Sequence, residues 1–146
     1  MTRTIRSQAE RIAGYRRVLE ARSPDVTDER LREPTHDEIR PVRLWTARSS
    51  RCPGDALVAL AHDNEDSTVR WCALHNAAMP EVGLRYLCER EAERDRKDRT
   101  PSFIVRARVL AHPNTSTQLA EQLRELGVVA EPWMVRYYMN QRQASS

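Results

Sequence analysis

Apolar positions along this chain recur in two ways, at helical spacing inside short segments and in step between segments. Val42-Arg43 through Leu60, Val69-Arg70 through Leu87 and Val105-Arg106 through Leu123 open on the same dipeptide, and a truncated fourth copy starts at Val135-Arg136. Counting each Val as offset zero, offset five holds Ala47, Leu74 and Leu110, and offset eighteen holds Leu60, Leu87 and Leu123. Offset eleven holds Pro53, Pro80 and, in the third copy, Ser116. A repeat of this length with its own apolar skeleton predicts stacked supersecondary units, none of which buries its apolar face alone. The expected fold class is all-α, a short α-solenoid of about three helical-pair repeats behind an N-terminal capping helix.

The punctuation of the chain agrees with that reading. From Thr4 to Arg22, Ile5, Ile12 and Leu19 recur every seven residues with Ala9, Tyr15 and Val18 nearby, which predicts one apolar stripe on a helix. Ser23 to Pro41 reads as a connection, with Pro24, Pro34 and Pro41 around a short helix at Asp28 to Arg32. Each copy then reads as two helices. In the first, Pro41 begins a helix with Val42, Trp45 and Thr46 inward, Pro53-Gly54 breaks it, and Asp55 caps a second helix carrying Leu57, Leu60 and Ala61. In the second, Ser67 or Asp66 caps one helix and Pro80 fits the first turn of the next, with Leu84 and Leu87 toward the core. In the third, Thr100-Pro101 reads as a cap and first-turn proline, and Thr115 with Gln118 has capping-box spacing. The domain reading is residues 1–41 as a basic amphipathic helix and connection, 42–140 as the repeat array, and 141–146 as a polar tail that composition does not favour as ordered.

The run Val105-Arg106-Ala107-Arg108-Val109-Leu110-Ala111-His112-Pro113-Asn114-Thr115 resembles the consensus of the leucine-rich repeat variant family, in which a Val-Arg start leads through small apolar residues to an Asn-Pro-x-Thr turn and a Leu-bearing helix. Leu60-Ala61-His62-Asp63, followed by Val69-Arg70, is similar to that family's repeat ending and the next start. The resemblance covers about two-thirds of the chain, from Val42 to Arg136. It implies a right-handed stack of short paired helices, related in outline to HEAT and armadillo solenoids. The Val-to-Val steps of 27, 36 and 30 residues are longer and less regular than the family's unit, and only the third copy keeps the His-Pro-Asn-Thr turn. Some family members carry an iron–sulfur-binding cysteine cluster ahead of the repeats; no such cluster precedes Val42, so no cofactor is carried over.

Two features interrupt the regular pattern. The second copy is lengthened by Glu89 to Arg99, where mixed charges at i,i+3 and i,i+4 spacings predict a solvated helix extension or a mobile loop, a position in a repeat at which binding loops also occur. Arg43, Arg70, Arg106 and Arg136 share offset one and fall in a column along the stack, with Asp63 and Asp66 placed as inter-repeat partners. An Asp–Arg ladder is the favoured reading of that column, and an exposed row reading phosphates or a partner's carboxylates is the other.

Composition narrows function more by exclusion than by pointing. The chain has 146 residues, a net charge of +3 and 24 basic residues of which only Lys97 is a lysine, a bias that GC-rich codon usage explains as readily as guanidinium chemistry. The leading segment concentrates this charge in Arg3, Arg6, Arg11, Arg16, Arg17 and Arg22. Three cysteines, Cys52, Cys72 and Cys88, carry no CxxC spacing and are expected as buried thiols. No apolar run reaches the length of a membrane span and no secretory signal is seen, so a cytoplasmic protein is expected. His36, His62, His75 and His112 form no metal-ligand motif, and four glycines leave no phosphate-binding loop, so neither metal nor cofactor nor enzymatic activity is expected.

The expected function is a non-catalytic binding or scaffold module that engages a protein partner through the solenoid surface. Trp71 and His75, four apart on one helix face, together with Arg48 and Arg51, are the candidate contacts, because aromatic and Arg side chains dominate interface energetics. The alternative is nucleic-acid binding through Arg6, Arg11, Arg16 and Arg17 of the leading helix and Arg43, Arg70 and Arg106 of the column. A three-repeat array also has open ends, which allows a homo-oligomer through the C-terminal copy around Trp133, Tyr137 and Tyr138.

Overall fold

The first helix ends and the second begins at the same register positions in all three copies. The structure, a computed structural model, describes residues 7–99 and 101–145, and among the described residues it is helical without strands. In chain order the elements are α1 (Gln8–Ala21), α2 (Asp28–Arg32), a 3₁₀ turn (Glu33–His36), α3 (Arg40–Arg48), α4 (Gly54–Ala61), α5 (Ser67–His75), α6 (Glu81–Asp98), α7 (Ile104–Ala111), α8 (Thr117–Glu125) and α9 (Pro132–Ser145). Offset eleven is the N-cap of the second helix in each copy: Pro53 for α4, Pro80 for α6 and Ser116 for α8, with extended ψ values of 152°, 157° and 159°. Ser116 Oγ accepts the Leu119 N–H at 3.1 Å, and its own N–H donates to Glu81 Oε1 at 2.9 Å, tying the third copy to the second.

Offset seven closes the first helix of each copy, where Ser49, Asn76 and His112 are the C-caps of α3, α5 and α7. These caps are joined from copy to copy. Asn76 Nδ2 donates to the carbonyls of Ala47 (3.0 Å) and Ser49 (2.7 Å), and His112 Nε2 donates to the Asn76 carbonyl at 2.9 Å. Asn114 Nδ2 in turn reaches the carbonyls of Ala77 (3.0 Å) and Met79 (2.9 Å). The donations reach carbonyls at a helix end and its following turn, of which Ser49 and Asn76 also accept the Cys52 and Met79 N–H groups. His112 Nδ1 accepts the Asn114 N–H at 3.1 Å, so the ring carries its proton on Nε2.

The first helices of successive copies lie against one another, α1 on α3, α3 on α5, α5 on α7 and α7 on α9, while α4 packs on α5 and α6. The register residues fill the space between. Val42, Ala47, Leu60, Val69 and Leu74 are at most 1% exposed, and Leu87 and Leu123 at 5% and 3%. One core cluster runs from Ala47 to Val128 through Leu57, Met79 and Leu84, and a smaller one joins Ala21, Val26 and Leu31 beneath Trp45. Burying each such large side chain contributes about 1.5–3 kcal/mol.

Several boundaries and faces differ from the sequence expectation. The stripe expected on the leading helix points outward: Ile12, Tyr15 and Leu19 are 48%, 64% and 47% exposed, and α1 instead buries Gly14, Val18 and Ala21. Close approach decides this, because a Cβ at Gly14 would meet the Ile39 side chain, so the face that fits against α3 is the small one. Ile5 lies outside the described residues. Asp55 sits in the first turn of α4, not at its cap, and pairs with Arg32 at 2.9 Å. Thr115 is not the cap of α8; its hydroxyl donates to the Val109 carbonyl. Pro80 is the N-cap of α6, one residue before its first turn, and Pro101 lies ahead of α7, which starts at Ile104 after Phe103 at φ 55°; Thr100 lies outside the described residues.

The charged lengthening of the second copy is a continuation of α6, and it is not wholly solvated. Glu91 (3% exposed) and Asp95 (8%) turn inward to Arg106 on α7. At the other end α9 continues through Ser145, into the stretch that composition marked as a tail.

Candidate binding surface

All three tryptophans stand on first helices of copies, and each holds a guanidinium against its ring. On α5, the four-residue spacing brings Trp71 and His75 together with ring centres 4.4 Å apart, and His75 Nδ1 donates to the Trp71 carbonyl at 2.8 Å. Burial, opposed by that hydrogen bond and reinforced by the Arg108 charge, holds the His75 pKa below its ordinary value, so the ring is neutral at neutral pH. From α7, Arg108 places its guanidinium carbon 5.5 Å from the Trp71 ring centre and 4.3 Å from that of Trp133. From α9, Tyr137 meets His75 edge-on at 5.5 Å and Tyr138 packs against His112 at 4.8 Å.

The cluster has a buried floor and an open rim. Tyr138 is 2% exposed and among the described residues its hydroxyl has no hydrogen-bond partner, while burial pushes its pKa up. Beside it Trp133 and Tyr137 are 48% and 40% exposed. A cation held between two indoles beside exposed aromatic side chains suits a partner that offers apolar groups and a carboxylate.

A second, smaller cluster lies two helices away. Trp45 on α3 carries Arg22 at 4.3 Å and Arg48 at 5.3 Å from its ring centre. Arg48 is exposed there. Arg51 does not join either group: its Nη1 donates to the Pro24 carbonyl, which ties the α3–α4 turn to the connection after α1. Of the four contacts expected from sequence, Trp71 and His75 therefore stand together, Arg48 belongs to the Trp45 group, and Arg51 is a tether. Arg108 and Trp133 were not legible as contacts of Trp71, although the second arginine of the Val-Arg-Ala-Arg start marks a departure from the other copies.

The arginine column is mostly turned inward. Arg43 is 7% exposed, with Nε on Asp63 Oδ2 at 2.7 Å and Nη1 on the Asp37 carbonyl at 2.6 Å. Arg106 is 6% exposed, with Nε on Glu91 Oε1 at 2.8 Å and Nη2 on Asp95. Arg70 is half-buried and donates to the Asp63 carbonyl at 2.6 Å, while Asp66 pairs with Arg40 rather than with a column member. On α1, Arg11 and Arg16 are exposed and Arg17 pairs with Asp37 at 2.6 Å; Arg6 lies outside the described residues.

The remaining chemistry is quiet. The hollow of about 70 Å³ beside α1 and α2 is lined by charges that pair with one another, Arg17 with Asp37 and Arg30 with Glu20 and Glu33. Cys52, Cys72 and Cys88 are buried free thiols, and burial pushes Cys52 and Cys88 up to about 12. Among the described residues no three His, Cys, Asp or Glu side chains gather as a metal site, and no helix is long and apolar enough to cross a membrane. No protein-family model, curated protein or solved structure matches the chain.

Proposed function

We propose that this chain is a non-catalytic binding module, a right-handed α-solenoid of the leucine-rich repeat variant type that engages a protein partner through the Trp71–Arg108–Trp133 surface. The observation that carries the reading is a guanidinium held between two indoles, with Trp133 and Tyr137 of α9 exposed beside it. The cap-to-cap hydrogen bonds through Asn76 and His112 support the stacked-repeat architecture, because they relate one copy to the next in the same way twice. The buried free thiols fit a reducing, cytoplasmic setting.

Nucleic-acid binding is the second reading, favoured by the exposed Arg11 and Arg16 on α1 and weakened by the inward pairing of Arg43 and Arg106. Affinity capture from native lysate, with and without nuclease, separates the two. A stoichiometric protein that survives nuclease is the expected result; recovery of nucleic acid alone, lost as salt rises, overturns the protein-partner reading.

A further inference from the structure

The apolar surface that the fold leaves in solvent collects at its two ends. Among the described residues, eleven large apolar side chains are 40% or more exposed, and nine of them belong to the terminal elements. Three are Ile12, Tyr15 and Leu19 on α1, and six fall between Leu126 at the end of α8 and Met139 on α9. Helices α3, α5 and α7 each have a first helix packed on two sides, whereas α1 has α3 and α9 has α7. The end units of a stacked array ordinarily carry a polar outer face, because an apolar one offers another molecule the contact that every interior unit already makes.

The two ends differ in charge. On α1, Arg17 and Glu20 are held by Asp37 and Arg30. The charges of α1 that have no ion pair among the described residues are Arg11, Arg16 and Arg22 against Glu10, three positive to one negative. From Glu121 to Arg136 the unpaired charges are Glu121, Glu125 and Glu131 against Arg124 and Arg136, three negative to two positive. Setting α1 on the α1 of a second copy brings like charge onto like charge, and so does joining two C-terminal ends. The N-terminal end of one copy on the C-terminal end of another matches apolar with apolar and opposite charge with opposite charge. On α9, two residues, or about 200° of helix, separate Trp133 from Val135 and Tyr137 from Met139. Val135 and Met139, 42% and 56% exposed, therefore stand on the flank away from Arg108.

We infer that this chain associates head to tail with further copies of itself, the Ile12, Tyr15 and Leu19 face of α1 in one copy covering the Val135 and Met139 face of α9 in the next. Such a contact joins two different surfaces, so each added copy leaves one end open, and the assembly grows past a dimer or closes into a ring. It uses the other flank of α9 from the Trp71–Arg108–Trp133 surface and does not depend on what that surface binds.

The test is sedimentation equilibrium on the whole chain from about 5 to about 500 µM, a range that spans the affinities of small interfaces. The wild type is expected to pass from the mass of one chain to that of more than two as concentration rises. Tyr15→Glu with Leu19→Glu blocks the N-terminal end, and Val135→Lys with Met139→Lys blocks the C-terminal end, all at exposed positions. Each double variant alone is expected to stay at the mass of one chain. Mixed in equal amounts, the two retain one working end each, so the mass is expected to double and stop there. A wild type that stays at one chain mass throughout overturns the inference. So does a dimer of the C-terminally blocked variant alone, which joins α1 to α1, or of the N-terminally blocked variant alone, which joins two C-terminal ends. A mixture that stays at one chain mass while the wild type associates and both variants keep the wild-type Tm overturns it as well.

Discussion

Arg106→Ala is expected to destabilise the chain by about 3–5 kcal/mol, which is most of the stability of a marginal domain. Among the described residues the guanidinium is the one cation paired with both Glu91 and Asp95, and all three side chains are at most 8% exposed. Removing it leaves two carboxylates inside the protein with neutral donors only: Val105 and Arg106 N–H groups on Glu91 at 2.6 and 3.0 Å, the Ser102 N–H on Asp95 at 3.1 Å, and the Ser102 hydroxyl between the two acids. Those bonds do not offset the cost of two like charges taken out of water. Arg106→Lys keeps the charge but loses the fork that reaches both acids, so it is expected to recover only part of the loss. Urea titration checks both variants through a lowered midpoint at nearly unchanged slope. A midpoint within 1 kcal/mol of wild type for Arg106→Ala would mean that the two acids reach water.

Asn76→Ala is expected to cost about 2–4 kcal/mol, more than a surface cap. Its Nδ2 satisfies two carbonyls, Ala47 and Ser49, and its Oδ1 accepts the Ala78 N–H at 3.0 Å, all at a residue that is 7% exposed. The alanine takes away the Asn76 donor from the Ala47 carbonyl and the acceptor of the Ala78 N–H, and leaves the Ser49 carbonyl with the Cys52 N–H alone, at the junction of two copies. Asn76→Asp is the sharper variant. It keeps the acceptor for Ala78 but points a carboxylate oxygen at two carbonyl oxygens, so it is expected to be less stable than Asn76→Ala at neutral pH. The reverse order in thermal unfolding would show that the cap-to-cap bonds do not hold the copies together.

What the sequence made legible was register; what it concealed was reach. Offset eleven marks the same helix start in three copies because proline and serine solve one problem there, an orphan N-terminal donor, by different means. Offset eighteen is buried in all three because its leucines face the shared core. The α1 stripe misled because periodicity reports which face is apolar, whereas Gly14 against Ile39 reports which face can come close. Glu91 and Asp95 share a helical face at i,i+4 spacing, but within a run of ten charges only their buried partner Arg106 distinguishes them from solvated neighbours. For the surface, Trp71 and His75 were visible as a local pair, while Trp133 lies 62 residues further along and meets Trp71 only through Arg108.

The exposed position of Trp133 makes it the residue to remove when asking where a partner binds, since 48% of it is already in solvent and its loss leaves the core cluster intact. In nuclease-treated lysate, retention of a captured protein partner is therefore to be compared between wild type, Trp133→Ala with Arg108→Ala, and Arg11→Glu with Arg16→Glu. Binding weaker by about 30-fold or more for the aromatic–arginine variant, with the α1 variant unchanged, is the predicted result. Full retention by the aromatic–arginine variant and loss in the α1 variant would contradict it and move the binding surface to the leading helix.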